Sequence, residues 1–513
     1  MRAPLLLALL TACDPFGRWT DDDEWYLDAE LWDPEVAPTA DGSLYVRLPA
    51  QGQLVRVKED GSFATVDLDG AQADSMVVTP DGERVLVLAR WPRCNNDDEE
   101  IVTVEDCPED DLEWRHELDI VEEGKRIRTV DVPPHLDTFS FAPGGTTAVA
   151  WLSGDPYDVE IDGVADLTEI VFVDLATGDT QGLSIGFRPT DILFSEDGTR
   201  AVVLSNFQVT VVDLETREEL VTYELATDID ANVVPKDAVL TSDGDWILLT
   251  VEGRSELFEL NMSTFFIDIE DLPGEPFGLA EAADPEGELT LLLYGSLAQV
   301  DVLDHRDYQL REEPIELDEP VHHGLAVNGG AVFYNVNEGH TIYLWDAVTN
   351  DVDETAIENP LLDLALTGSG RFAVGLLGPE LSGASEFQDS LYGLGVVDLA
   401  ERQAASLVFE ARPVGLALVD REGADYALAL LEGVEDVYQI DLSDPSKALP
   451  IELPAPPVGI GALADGRFYI THRRALGLIS FFDPADGALK TVGGFVTPAL
   501  LPGETTLPRI EAD

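Results

Sequence analysis

The chain has 513 residues, with 101 Asp and Glu against 29 Lys and Arg, a formal net charge of −72. Its apolar fraction of 45% is that of an ordinary globular protein, so the chain can fold and must carry its acid on the surface. Such a surface repels phosphates, which excludes DNA and RNA partners and favours cationic partners and divalent metals.

The chain opens MRAPLLLALLTACD. Arg2 is a short basic start, and Leu5 to Leu10 form an apolar run. The box Leu10-Thr11-Ala12-Cys13 resembles the bacterial lipoprotein signal, in which the cysteine is lipidated and becomes the mature N-terminus. This resemblance implies a signal peptide over 1–12 and a lipid anchor on Cys13, although the signal is shorter than the usual ~15–30 residues. No other apolar run approaches the ~20 residues needed to span a bilayer, so the lipid would be the only anchor. Which bacterial membrane would hold it stays open. Residues 13–35, with the run DDDEW, read as an acidic tether. The scarcity of lysine beside so much acid is similar to the surfaces of salt-adapted organisms, where salt screens self-repulsion.

Cys94 and Cys107 lie within an acidic insertion expected over 92–116. An extracytoplasmic address makes a disulfide between them the expectation. Zinc is the weaker alternative, since there is no CxxC pair and His116 has no companion.

From residue 36 to 497 one pattern recurs. An apolar triplet leads into a D-G or G-G type turn, as in VTPDGERVLVLA, FSEDGTRAVVLS and LTSDGDWILLTV. A second strand follows, then a third that often ends in Asp-Leu, as in IVFVDLATGDT and VTVVDLETREE, then a more polar fourth. The residue before the triplet is Ser75, Thr138, Asp191, Asp237, Gly278, Gly324, Asp363, Gly415 and Gly459 in successive units, and one further unit begins near Val36. Spacings of this size and four strands per unit predict an all-β chain, a β-propeller of about ten blades, in one large ring or two tandem rings. The pattern resembles the YVTN-type and quinoprotein-like bacterial propellers, near in style to WD40 repeats. Residues 498–513 read as an irregular tail.

Asp158 to Glu169, DVEIDGVADLTE, matches a calcium-loop pattern except for Glu160 at the third position. Asp158, Glu160, Asp162, Asp166 and Glu169 are candidate calcium ligands; the competing reading is a hairpin turning at Asp162-Gly163. Asp228 to Asn232, DIDAN, is a weaker relative. Asp191, Asp237 and Asp363 share one position, so a propeller would bring them to one end of its channel, where they could hold a cation or cap the neighbouring backbone. His322 and His323 are expected at the same end, with His135 and His472 in related places. Gly182 to Gly186, GLSIG, has the G-x-S-x-G form but sits in a β repeat, not in the strand-to-helix elbow that activates a serine.

These features predict a lipid-anchored envelope propeller that binds a protein or polysaccharide. The alternative is a propeller enzyme, a lactonase or quinoprotein dehydrogenase by resemblance, with its site at the channel mouth. A third is a structural subunit of an envelope assembly, with the 92–116 insertion as its docking arm.

Overall fold

The computed structural model describes residues 34–495, apart from 49–51, 69–70, 95–111, 134–135, 153–166, 226–232, 243, 285–286, 338, 358, 380–390 and 475–476. Among the described residues all regular structure is strand, and no helix is long and apolar enough to cross a membrane. The strands form ten antiparallel sheets, each from one contiguous stretch of chain and, in nine of them, four strands in sequence order. The first strands of blades 1 to 10 are Glu35–Pro38, Gln72–Val78, Thr138–Phe141, Pro189–Phe194, Pro235–Leu240, Gly278–Asp284, His323–Val327, Leu361–Leu366, Pro413–Arg421 and Pro457–Ala462. The exception is blade 6, whose outer strand is split into Gln309–Leu310 and Ile315–Glu316, both paired with Gln299–Asp304. The ten sequence repeats are thus ten blades.

The repeat turns have a common chemistry. In blade 4, Gly198 N–H donates to Ser195 O at 2.9 Å, and the Asp197 carboxylate accepts from Ser195 Oγ at 2.7 Å and Thr199 N–H at 3.0 Å. Blades 1 and 2 repeat this with Thr39 and Asp41, and with Thr79 and Asp81. The Asp at the end of the third strand, often followed by Leu, has a similar use. Asp174, Asp346 and Asp398 each accept two backbone N–H groups from the turn that follows. These are side-chain replacements for ladder bonds that the turn cannot make.

The middle strands are buried, as in Arg200–Ser205 and Gln208–Asp213 of blade 4, while outer strands such as Phe63–Thr65 are exposed. Each blade buries its faces against its neighbours. Val202 and Leu204 of blade 4 pack with Ile247 and Leu249 of blade 5, and Leu248 on the opposite face of blade 5 packs with Leu292 of blade 6. Clusters of this kind fill ten interfaces, and the tenth joins Val46 and Val55 of blade 1 to Ile479 and Phe481 of blade 10. The ring is therefore single and closed. Closure uses side chains, since no strand of one end joins the sheet of the other among the described residues. Phe495 packs in the same seam, edge-on to Phe63 with centroids 6.5 Å apart, and Arg467 Nη1 reaches Glu59 at 2.6 Å.

The first strands line the channel. They touch across blades: Asp237 of blade 5 accepts Leu279 N–H of blade 6, and a Cβ on Gly324 would lie 3.1 Å from Ala280. The glycines at this repeat position allow that approach.

The expected insertion at 92–116 is narrower in the fold. Strands Arg84–Cys94 and Leu112–Glu122 run on into it, with Trp91 opposite Arg115 and Cys94 opposite Leu112. Trp91 is buried and its Nε1 donates to Glu117 Oε2 at 3.2 Å, which anchors the extension. Cys107 lies outside the described residues, as do Cys13, residues 13–33 of the expected tether and the expected tail over 498–513, whereas Glu35, at the end of that tether, opens the first strand of blade 1.

The turn glycines give a graded test. Gly82 has φ +71°, and a Cβ there would meet Ala40 N and Cβ at 2.8 Å, whereas Gly144 has φ +88° and open space around it. Gly144→Ala should lower stability by about 1–2 kcal/mol from the left-handed backbone alone. Gly82→Ala should cost more, because the backbone of blade 1 must also move. Urea midpoints of the two variants measure the difference; equal midpoints would contradict it.

Candidate functional site

The two faces of the ring differ. Connections from first to second and from third to fourth strands lie on one face, and those among the described residues are short. Connections from second to third strands, and from each outer strand to the next blade, leave from the opposite face, where the first strands begin. The long connections, after Cys94, Trp151 and Leu377, all depart from this second face. It is the mouth face.

Many arginines serve the turn face. Arg56 pairs with Asp41 at 2.5 Å, Arg421 with Asp483 at 2.7 Å, Arg371 with Asp398 at 2.9 Å and Arg311 with Asp284 at 2.8 Å. The cations of a strongly acidic chain are in this way spent on joining turns.

At the mouth, the three repeat-position carboxylates occupy the start of their first strands as expected. Each accepts the N–H of the next residue: Asp191 from Ile192 at 2.8 Å, Asp237 from Ala238 at 2.9 Å and Asp363 from Leu364 at 2.8 Å. Asp237 also takes Leu279 N–H at 2.7 Å. Burial raises its pKa, and the charge of Asp191 adds to the rise. The capping role is real for all three.

His322 and His323 lie in blade 7 among aromatic groups. His322 stands edge-on to Phe277, centroids 4.5 Å apart, and His323 stacks on Tyr334 at 5.1 Å. Asn335 Nδ2 donates to Pro320 O at 2.7 Å, which turns its Oδ1 toward His322 Nδ1, also 2.7 Å away. Nδ1 is therefore the donor in this contact. Burial and the neighbouring His322 lower the His323 pKa, against the charge of Asp363. Lys236 completes the group: its Nζ donates to Pro276 O at 2.9 Å and sits 5.1 Å from the centroid of the Phe277 ring. Blades 5 to 8 thus present a continuous shelf of Lys236, Phe277, His322, His323, Tyr334 and Asp363.

No group of three or more His, Cys, Asp or Glu able to hold a metal ion occurs among the described residues. Asp158, Glu160, Asp162, Asp166, His135 and residues 228–232 lie outside them. Glu169 opens the third strand of blade 3, opposite Ser184, with its carboxylate over Gly182. Ser184 of the GLSIG motif is exposed on the outer strand, 3.1 Å from Thr168 Oγ1, so the motif is strand and not an elbow.

His472 closes the second strand of blade 10, the place its sequence position gave it. It is fully buried in blade 10, with Nδ1 2.8 Å from Ala455 O and Nε2 2.7 Å from Ser480 Oγ. Burial brings its pKa down to about 4, so it is a neutral packing group.

One perturbed carboxylate gave no sequence signal. Glu259 is buried in the third strand of blade 5, opposite Asp268 and near Glu270. Burial first, then these two charges, push its pKa up to about 7. Its position in a repeat strand looked like any other polar residue. Only its blade neighbours make it unusual.

No family model matches the chain, and no curated protein matches it in sequence. Solved structures that resemble it include the hydrazine synthase of Kuenenia stuttgartiensis, 13% identical, with 60% of this chain and 96% of that chain covered and a TM-score of 0.34. The dihydro-heme d1 dehydrogenase NirN, in complex with DHE, is 14% identical over 66% of this chain and 71% of its own, with a TM-score of 0.42. A eukaryotic initiation factor is 12% identical over 74% and 97%, with a TM-score of 0.48. At these scores none of them bears on what the chain binds or does.

Glu259 yields a pH prediction. Its folded pKa lies above the ordinary 4.5, so the stability it allows is present below that value and is lost as pH rises to about 7. Glu259→Gln should raise stability at pH 8 by about 1–3 kcal/mol relative to the parent, and leave it nearly unchanged at pH 4.5. Thermal midpoints of both proteins across this range give the comparison; parallel curves would count against it.

Proposed function

We propose that the chain is a lipid-anchored, extracytoplasmic propeller that binds a partner protein or polysaccharide over its mouth face. The observation that carries this reading is the asymmetry of the ring. One face is closed by short turns, many held by their own carboxylates and by arginines. The other carries every long connection and the shelf from Lys236 to Asp363. Repeat proteins place variation where they bind and constancy where they only fold. Aromatic rings beside carboxylates suit contact with cationic groups, which the overall charge also attracts. The anchor rests on Cys13 and its apolar leader, and the extracytoplasmic address follows from it.

Two measurements test the proposal. The parent protein should sediment with bacterial membranes and carry a diacylglyceryl mass on Cys13, and Cys13→Ala should be released to the soluble fraction. A photo-crosslinking residue at Thr190 on the mouth should form adducts in intact cells, and one at Val348 on the turn face should not. Equal adducts from both faces would overturn the binding assignment.

A further inference from the structure

Six first strands begin with the same irregularity. The pairing register skips one residue between Ala73 and Ser75, Pro189 and Asp191, Pro235 and Asp237, Leu361 and Asp363, Pro413 and Gly415, and Pro457 and Gly459. The framework residues on either side are alike from blade to blade: proline in four cases before, Asp, Gly or Ser after. The skipped residue is not alike. It is Asp74, Thr190, Lys236, Leu362, Val414 or Val458. A bulge frees one side chain from the ladder and re-aims it. Repeating it at the channel mouth with a constant frame and a variable centre makes it a position for contact.

The six are ordered around the ring. Blades 2, 4 and 5 carry polar centres, and blades 8, 9 and 10 carry Leu362, Val414 and Val458. Val414 is 52% exposed and Val458 38% exposed, on adjacent blades. On the same face, in the segment that leads from blade 9 to Val458 of blade 10, lies a cavity of about 510 Å³ walled by Leu453, Pro454 and Pro456 and edged by Glu435, Asp436 and Glu452. Its proline segment is held from below by buried His472 on Ala455 O, and by Arg473 N–H on Pro456 O at 2.9 Å. The pocket is therefore preformed.

We propose that the arc of Leu362, Val414 and Val458, with the cavity on the same face, seats a basic polypeptide segment that alternates cationic and apolar side chains. This rests on the mouth face being the binding face. Apolar centres beside carboxylates match a chain that carries both apolar and cationic side chains, which a polypeptide does and a neutral sugar does not. Arg412, Arg473 and Arg474 stand on the same arc, but Glu410, Glu432, Glu435, Asp436 and Glu452 outnumber them, so the attraction is for positive charge.

The test uses the full chain and three labelled peptides of equal length, alternating Arg-Leu, Arg-Ser and Glu-Leu, read by fluorescence anisotropy at about 0.15 M salt. The Arg-Leu peptide should bind at least about tenfold tighter than either other peptide. The double variant Val414→Ser, Val458→Ser should lose about tenfold, while Val348→Ser on the turn face changes nothing. Val458→Thr keeps the shape and guards against misfolding; it should lose part of the affinity with an unchanged thermal midpoint. Equal binding of Arg-Ser and Arg-Leu, or of the double variant and the parent, would overturn the inference. In cells, crosslinks from Thr190 but none from positions 414 and 458 would sink this inference alone, whereas no mouth crosslinks at all would sink the binding face with it.

Discussion

A four-stranded sheet with apolar residues on both faces cannot be stable alone, and everything in this molecule follows from that. Val202 and Val203 are consecutive and both fully buried, yet they point into different interfaces, one toward blade 5 and one toward blade 3. Each blade is a spacer between two neighbours, and only a closed circuit leaves none of them half covered. The turns must be short and alike so that the blades are equivalent. The first strands must be narrow, with Gly or Asp at the crowded position, so that ten of them can meet around one channel. Whatever varies is pushed to the mouth.

Much of this was legible in the chain. The D-G turns, the third-strand Asp-Leu and the position shared by Asp191, Asp237 and Asp363 are local signals, because each satisfies backbone groups within a few residues. They suffice to count ten units and to find the end of the channel. The choice between one ring and two was not legible. It depends on Val46 meeting Phe481 and on Arg467 reaching Glu59, contacts between the two ends of the chain that no local pattern encodes.

The histidines show the same limit. His323 and His472 both sit beside a strand end, and nothing nearby in sequence separates them. One stacks on Tyr334 at the mouth and the other is sealed under Ala455. His472 finds Ala455 and Ser480, and His323 finds Tyr334, only once the strands of the blade are paired. The bulges were half legible. The Pro-x-Asp and Pro-x-Gly words stood in plain view, but their meaning rests on pairing register, which the sequence states only indirectly.

The closure of the ring has a mechanical consequence. Both ends of the propeller, near Glu35 and Phe495, meet at one seam, and that seam has no backbone ladder across it. A pull between the chain ends loads this interface before any strand is sheared. Side-chain packing gives way over short distances, so the circuit would open into an arc with its sheets intact and then shed blades singly from the ends. A tether at one end only leaves the seam unloaded, and the circle stays whole while its attachment is strained.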